Sequence, residues 1–398
     1  MESSEQNGAS ISETLCPKML VCLARGPFGC FFSLCNIPTN PMISKICTVQ
    51  RVLQSASQMI SFSFFSDFFK NLESSLVSKL YWTKMAIPVV DFSAMGLQNK
   101  NQPWSENSNA VKDLAEKLYN AFSTVGFVYL KNHGIPQEMI DSIFVEMDKF
   151  FALSHKVKTK YKREHKFCRD GWNSFEAESL NSERPPGYKE TLDLNSIYEA
   201  DFRWPNEEIS NFQSNITRTY ETMTELSFRV LSAMAIGLQL KHDAFAHAFE
   251  KAGTLQGETM LRYSYYPTIT DMSNVKPGQL RCGEHTDWGA ITLLIQDDVG
   301  GLEIRNVDGK FVPAPPIEGT MVVNIGDMME RWTADKLKST VHRVLIPEEQ
   351  IKRRHRRSLA LFFNPDVDAV ITCMDGSNKY PPVTSGEWVK MKQNLAHK

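Results

Sequence analysis

The sequence predicts an α+β fold, in which a double-stranded β-helix (a jelly roll) forms the core and helices flank it. The first observation is a series of short segments suited to strands, with turn signals between them, in the last third of the 398-residue chain. The second is helical periodicity upstream, at 109–125 and 207–252. The third is that no Gly-rich phosphate loop or dinucleotide fingerprint occurs, which disfavours a nucleotide-binding parallel sheet.

Composition indicates a globular chain without a strong charge bias. Hydrophobic residues make up 42% of the chain, and 44 basic residues face 46 acidic ones. Bulk electrostatics therefore predict neither a nucleic-acid partner nor a membrane-surface partner. No run of about eighteen apolar residues occurs, and the acidic start fits neither a signal nor a transit peptide. We expect a cytoplasmic protein whose eight cysteines are reduced, because no C-x-x-C pair is present.

Residues 1–84 differ from the rest of the chain. They are rich in Ser, Cys and Phe, with the cluster ISFSFFSDFF at 60–69, and they lack sustained periodicity. We expect a poorly ordered extension. A membrane- or partner-binding amphipathic stretch near 56–82 is the alternative interpretation.

From Met85 onward the pattern becomes regular. The sequence predicts a strand at 86–92, a helix at 109–125 and a strand at 126–130. A helix at 137–153 and a polar section at 156–206 follow, and loops in that section could line a substrate entrance. Further predicted strands lie at 190–194, 259–266, 290–296, 301–305, 311–312, 320–325, 339–346 and 358–364, with a short helix at 327–335.

A His-x-Asp pair at His285 and Asp287 is the first candidate for chemistry. It stands where an extended run begins, and residues i and i+2 of a strand point to the same side of the sheet. His342 could supply a third ligand from a neighbouring strand. Two imidazoles and one carboxylate with open positions opposite them are the metal ligands of non-haem Fe(II) oxygenases. One His-x-Asp pair alone is a weak signal in a chain with nine histidines.

A second pair, Arg356 and Ser358, stands at the start of an apolar strand. A guanidinium and a hydroxyl on one face can receive a carboxylate. Tyr266 could donate a third hydrogen bond to that carboxylate. The competing interpretation treats the basic run KRRHRR at 352–357 as a nuclear-localisation or nucleic-acid patch. We expect only Arg356 of that run to turn inward.

Taken together, these motifs resemble the Fe(II)/2-oxoglutarate-dependent dioxygenase superfamily, specifically its isopenicillin-N-synthase-like group. The upstream segments IPVVDF and GFVYLKNHGIP resemble the N-terminal domain of that group. The residues that carry the resemblance are 87–92, 126–136, 285–305, 324–333, 339–344 and 356–365.

The resemblance implies an iron site at His285, Asp287 and His342. It also implies that 2-oxoglutarate chelates this iron, with its distal carboxylate on Arg356 and Ser358 and with help from Tyr266.

The expected activity is the oxidation, usually hydroxylation, of a small organic molecule by O2, with formation of succinate and CO2. We expect no nucleic-acid or membrane partner. One alternative is a 2-oxoglutarate-independent non-haem iron oxidase of the same fold, and a second is a non-catalytic binding protein.

The resemblance also implies a domain organisation. We expect 85–398 to be the functional unit, because the similarity starts just after Met85 and residues 1–84 have no counterpart in the family. The expected segments are an extension at 1–84, an N-terminal dioxygenase domain at 85–205, a helical connection at 206–257, a jelly-roll domain that binds Fe(II) and 2-oxoglutarate at 258–366, and a C-terminal tail at 367–398.

Overall fold

Two β-sheets form the core of the part of the chain that follows Met85, where the sequence becomes regularly periodic. The computed structural model describes residues 22–26, 29–33, 87–99, 104–164, 170–179, 183–346 and 354–396. Its strands are β1 (Cys22–Gly26), β2 (Gly29–Ser33), β3 (Val89–Asp91), β4 (Phe127–Lys131), β5 (Gly171–Asn173), β6 (Glu190–Leu194), β7 (Met260–Tyr266), β8 (Cys282–His285), β9 (Ile291–Gln296), β10 (Leu302–Arg305), β11 (Phe311–Pro313), β12 (Thr320–Ile325), β13 (His342–Val344), β14 (Arg356–Phe363), β15 (Val370–Ile371) and β16 (Val383–Thr384). Its α-helices are α1 (Asn109–Thr124), α2 (Gln137–Ala152), α3 (His155–Lys158), α4 (Phe212–Gly237), α5 (Asp327–Trp332) and α6 (Ser385–Ala396).

The chain divides into two compact units, Met1–Leu80 and Tyr81–Lys398. In the first unit the structure describes β1 and β2, which pair antiparallel with Gly26 opposite Gly29. The sequence analysis predicted no strand there. A Gly-Pro turn signal does stand between the two strands. The rest of the predicted extension, including the alternative amphipathic stretch near 56–82, lies outside the described residues.

In the second unit a large and a small sheet form the jelly roll, which confirms the predicted α+β fold class. The large sheet has eight strands in the order β3-β4-β12-β9-β14-β7-β6-β5, and the small sheet has four in the order β11-β10-β13-β8. Only the β3–β4 pair in these two sheets is parallel. Strands from the predicted N-terminal segment complete the large sheet, because β4 pairs with β12 and β6 pairs with β7.

Helices cover the outer face of the large sheet and bury the larger hydrophobic cluster. Helix α1 starts after Ser108, whose hydroxyl accepts a hydrogen bond from the backbone N–H of Val111. It ends before Gly126, which has a positive φ of 75°. A Cβ at Gly126 would lie 2.2 Å from the carbonyl oxygen of Lys338, so glycine is required where α1 turns into β4.

A smaller hydrophobic cluster includes residues of both sheets, among them Tyr266, Cys282, Leu302 and Val344. This cluster packs the two sheets together beside the predicted metal ligands. The sheets therefore form a rigid frame on which the candidate site is built. No helix within the described ranges is both long and apolar enough to cross a membrane.

Several predicted elements differ from the observed ones. The helix predicted at 207–252 is shorter in the structure, where α4 runs from Phe212 to Gly237. Gln239, just beyond its end, adopts a left-handed φ of 62°, which a right-handed helix cannot include. The predicted strand 339–346 is reduced to β13. Strand β8 was missed, because Cys-Gly-Glu-His lacks apolar alternation, and α6 was missed within the predicted tail 367–398.

Candidate active site

The three predicted metal ligands lie together at one end of the small sheet. His285 is the last residue of β8, and it pairs directly with His342, the first residue of β13. The Nε2 atoms of His285 and His342 lie 3.8 and 3.7 Å from Oδ1 of Asp287. All three potential ligand atoms lie within 4.8 Å of one another. One small ion could therefore contact all of them.

Asp287 lies outside the strand that its spacing from His285 predicts. The i, i+2 spacing places both side chains on one face of a single strand. In the structure β8 ends at His285, and Asp287 lies in the connection to β9. The backbone N–H of Asp327 donates a hydrogen bond to the Asp287 carbonyl oxygen at 2.8 Å. The carboxylate therefore reaches the imidazoles from the segment that follows β8, outside the paired part of the strand.

Backbone carbonyls orient both imidazole rings. His285 Nδ1 lies 2.8 Å from the Gly283 oxygen, and His342 Nδ1 lies 3.1 Å from the Thr340 oxygen. A carbonyl oxygen only accepts hydrogen bonds, so each Nδ1 carries a proton, and in the neutral ring Nε2 is the nitrogen that keeps a lone pair. This arrangement turns both lone pairs toward Asp287, as metal-binding histidines require.

Two buried side chains hold one oxygen of the Asp287 carboxylate. Thr292 Oγ1 and Asn324 Nδ2 donate hydrogen bonds to Oδ2 at 2.6 and 2.7 Å, which leaves Oδ1 for a metal. Burial by itself would raise the pKa of Asp287, but the imidazoles of His342 and His285 and these two hydrogen bonds lower it below its ordinary value. The sequence analysis missed both donors. A buried Asn inside the apolar segment TMVVNI was the signal available for one of them.

The imidazoles differ in their affinity for protons before a metal binds. Burial, followed by the neighbouring His285, lowers the pKa of His342 to about 4. Burial would also lower the pKa of His285, but the Cys282 sulfur and the Asp287 carboxylate raise it to about 9. Metal binding requires both imidazoles to be neutral, so a metal at this site competes with a proton for His285. Two neutral imidazoles and a carboxylate then remain, a donor set that fits Fe(II).

The predicted carboxylate receptor is buried at the start of β14. Arg356 is 1% exposed, and its Nη1 and Nη2 atoms donate hydrogen bonds to Ser358 Oγ at 3.2 Å and to Gln296 Oε1 at 3.1 Å. Tyr266 stands opposite Arg356 on β7, and its ring centroid lies 4.8 Å from the guanidinium carbon. Among the residues that the structure describes, no carboxylate pairs with Arg356, and its Nε has no partner. A bound anion would supply the missing counter-charge.

The neighbouring basic side chains have acidic partners. Arg354 lies 2.7 Å from Asp298, and Arg357 lies 2.7 Å from Asp148. Among 354–357, the described part of the basic run, Arg356 is the one guanidinium that is buried without a carboxylate. Arg356 therefore differs from Arg354 and Arg357 in being buried and in having no carboxylate partner among the described residues.

A cavity of about 350 Å³ is lined by His285 and Asp287, two of the three predicted metal ligands. Its wall includes Arg262, whose Nε and Nη1 atoms lie 2.6 Å from Asp193 and 3.0 Å from Glu178. Lys189 lies 2.8 Å from the same Glu178, so Arg262 and Lys189 each have a carboxylate partner. The volume falls in the range of small-molecule sites. The segment after β5, part of the predicted loop 156–206, supplies other lining residues.

Helix α6 closes another side of this cavity through Val389 and Gln393. Trp388 Nε1 donates a hydrogen bond to the Trp288 carbonyl oxygen at 2.8 Å, and Lys392 Nζ lies 2.5 Å from Asp327 Oδ2. Asp327 also accepts a hydrogen bond from the hydroxyl of Thr286, the residue between two metal ligands. These contacts attach the helix to the segment that carries His285 and Asp287.

Comparisons with known proteins agree with this geometry. Residues 257–365 match the family model of the 2OG-Fe(II) oxygenase superfamily, and residues 87–213 match that of the non-haem dioxygenase in morphine synthesis N-terminal region. The 2-oxoglutarate-dependent dioxygenase htyE of Aspergillus rugulosus is 32% identical over 72% of this chain and 90% of its own length. A homoarginine-6-hydroxylase of Oryza sativa subsp. japonica is 29% identical over 77% of this chain and 96% of its own.

Solved structures show the same similarity. A full-length Neurospora crassa protein in complex with alpha-KG superimposes with a TM-score of 0.69 and 30% sequence identity, over 78% of this chain and 97% of that one. The same protein in complex with alpha-KG and thymine gives a TM-score of 0.68 and 29% identity, over 78% of this chain and 97% of that one.

Proposed function

This chain belongs to the 2OG-Fe(II) oxygenase superfamily, and from that membership we propose that His285, Asp287 and His342 hold its iron. The superfamily uses Fe(II), 2-oxoglutarate and O2, so the chain is a non-haem Fe(II)- and 2-oxoglutarate-dependent dioxygenase that forms succinate and CO2. The observation that carries the assignment is the meeting of the three ligand atoms within 4.8 Å. Membership sets aside the interpretation as a non-catalytic binding protein.

The residues around the iron have separate tasks in this proposal. Thr292 and Asn324 hold Oδ2 of Asp287, so that the carboxylate binds through Oδ1 and leaves coordination positions open. Bound iron and 2-oxoglutarate together supply the oxidising chemistry with O2. The protein orients its ligands in advance and needs no general base among them.

Arg356, Ser358 and Tyr266 bind the distal carboxylate of 2-oxoglutarate in the same proposal. The buried guanidinium provides the counter-charge, and the Ser358 hydroxyl lies within hydrogen-bonding distance of it. A carboxylate at this place pairs a cation that would otherwise be costly to bury. This assignment keeps the co-substrate in one orientation.

The substrate of the proposed reaction is a small organic molecule that is hydroxylated in the 350 Å³ cavity. The walls combine apolar surface from Met260 and Phe362 with polar groups such as Asn173. Structures of the similar Neurospora crassa protein contain thymine or 5-formyluracil, which supports a ligand of this size. The absence of nucleic-acid and membrane partners, the cytoplasmic location and the domain division remain predictions.

The test is anaerobic binding of Fe(II) to the full chain, followed by titration with 2-oxoglutarate. We expect a visible charge-transfer band when the 2-oxo acid chelates the iron. His342→Ala should abolish iron binding, and Arg356→Ala should keep iron but lose the band at moderate 2-oxoglutarate concentrations. Iron binding without any band in the unaltered protein would favour the 2-oxoglutarate-independent oxidase. Iron binding that survives His342→Ala would contradict the assignment of the ligands.

A further inference from the structure

Arg281 is a second fully buried arginine beside the proposed 2-oxoglutarate pocket, and the proposed function gives it no task. Its side chain is 0% exposed. Its Nη2 atom donates one hydrogen bond, to the Arg354 carbonyl oxygen at 3.2 Å. Within the described part of the chain, its Nε and Nη1 atoms have no partner. Burying a guanidinium with unfilled donors is costly, so these N–H groups call for a ligand.

The Tyr266 ring lies close to both buried arginines. The guanidinium carbons of Arg281 and Arg356 lie 5.8 and 4.8 Å from the centroid of that ring. Burial, and next the positive charge of Arg356, lower the pKa of Arg281 to about 10. Two like charges therefore occupy one buried region that the proposed function already assigns to an anion.

The carboxylate of Asp297, which acts on Arg281 electrostatically, forms its hydrogen bonds with other residues. Asp297 accepts hydrogen bonds from the backbone N–H groups of Arg357 at 2.7 Å and Val299 at 3.1 Å. It also lies 3.5 Å from Arg357 Nε. Across the ranges described, neither Arg281 nor Arg356 forms an ion pair with a carboxylate. Within the described ranges no carboxylate neutralises this pair of arginines, so a bound anion is a suitable counter-charge.

We propose that Arg281 is a second cationic group that binds the distal carboxylate of 2-oxoglutarate, together with Arg356 and Ser358. This inference rests on the proposed function of those two residues. A carboxylate offers about four lone-pair positions, which leaves room for a second guanidinium. Arg281 then selects dicarboxylic over monocarboxylic 2-oxo acids, because its contribution requires the distal negative charge.

The experiment compares the full chain with Arg281→Met, which keeps a long side chain but removes charge and donors. Anaerobic Fe(II) protein is titrated with 2-oxoglutarate and, separately, with 2-oxopentanoate, which has the same chain length but no distal carboxylate. The charge-transfer band gives the dissociation constant of each. Arg229→Met is the matched control, because Arg229 is a half-buried arginine whose hydrogen bonds go to Met95, Gly96 and Glu225 on another part of the fold.

We expect Arg281→Met to weaken 2-oxoglutarate binding by about 10- to 100-fold, the range for a hydrogen-bonded charge, and to leave 2-oxopentanoate binding unchanged. Arg281→Lys should cause a smaller but measurable loss, and it decides the question if the methionine variant does not fold. If Arg281→Met loses equal affinity for both acids, or loses none, the proposed role of Arg281 is overturned. The charge-transfer band of the unaltered protein would then still support the proposed function. No band in the unaltered protein would overturn both.

Discussion

Replacement of Thr292 by valine tests how the proposed iron site is oriented. Valine has nearly the shape of threonine but cannot donate the 2.6 Å hydrogen bond to Asp287 Oδ2. Asn324 then remains as the sole described donor to that oxygen, at 2.7 Å. The carboxylate gains freedom to rotate, and its pKa rises because the Thr292 hydrogen bond lowers it.

The size of the effect follows from the kind of bond that is lost. A hydrogen bond to a charged group contributes about 1.5–3 kcal/mol. Partners behind a metal ligand typically change metal affinity by about 10- to 100-fold. We therefore expect Thr292→Val to weaken Fe(II) or Mn(II) binding by about 10- to 100-fold, and Asn324→Ala to act in the same direction.

The assay is anaerobic calorimetric titration of metal-free protein with Mn(II), together with circular dichroism to check folding. Thr219→Val is the matched control: Thr219 is similarly buried, but its hydroxyl donates to the Asn215 carbonyl oxygen within α4. If Thr292→Val binds Mn(II) as tightly as the control, then Asp287 is not oriented through Oδ2 and the reasoning fails.

Two further predictions concern protons and the cavity wall. The Cys282 sulfur and the Asp287 carboxylate raise the pKa of metal-free His285 to about 9, so a metal must displace a proton from that imidazole. Mn(II) affinity should therefore fall between about pH 8 and 6, by up to about tenfold per unit of acidification. A pH-independent Mn(II) affinity would refute this. Lys392→Met should loosen α6, because it removes the 2.5 Å ion pair with Asp327. Limited proteolysis would show this as faster cleavage within 385–396. Equal cleavage in the exposed control Lys390→Met would contradict the prediction.

Helices and strands with strong periodicity could be predicted from the sequence. The pattern of Val111, Leu114 and Leu118 predicted α1, and these side chains are buried on the face that packs on the core. Strand β8 could not be predicted in this way. Its residues become a strand because they pair with β13 across a long stretch of chain, and such pairing leaves no local alternation to read.

Some residues of the candidate site could be predicted from sequence motifs, and others could not. Motif spacing and the family resemblance predict His285, Asp287, His342, Arg356 and Ser358 as site residues. The i, i+2 spacing predicts that His285 and Asp287 lie close together, but the strand ends at His285 and Asp287 follows it. Thr292, Asn324 and Arg281 carried no motif, since their importance depends on which buried atoms they approach.

The sequence by itself determined the kinds of ligand and the fold class. Imidazole, carboxylate and guanidinium groups are fixed by residue identity, and periodic burial follows from local geometry. The tertiary structure alone decided that His342 pairs with His285, that two donors hold one oxygen of Asp287, and that Arg281 lies beside Tyr266 and Arg356. These relations join residues far apart in the chain, and they are set by strand register and close packing, which no local pattern encodes.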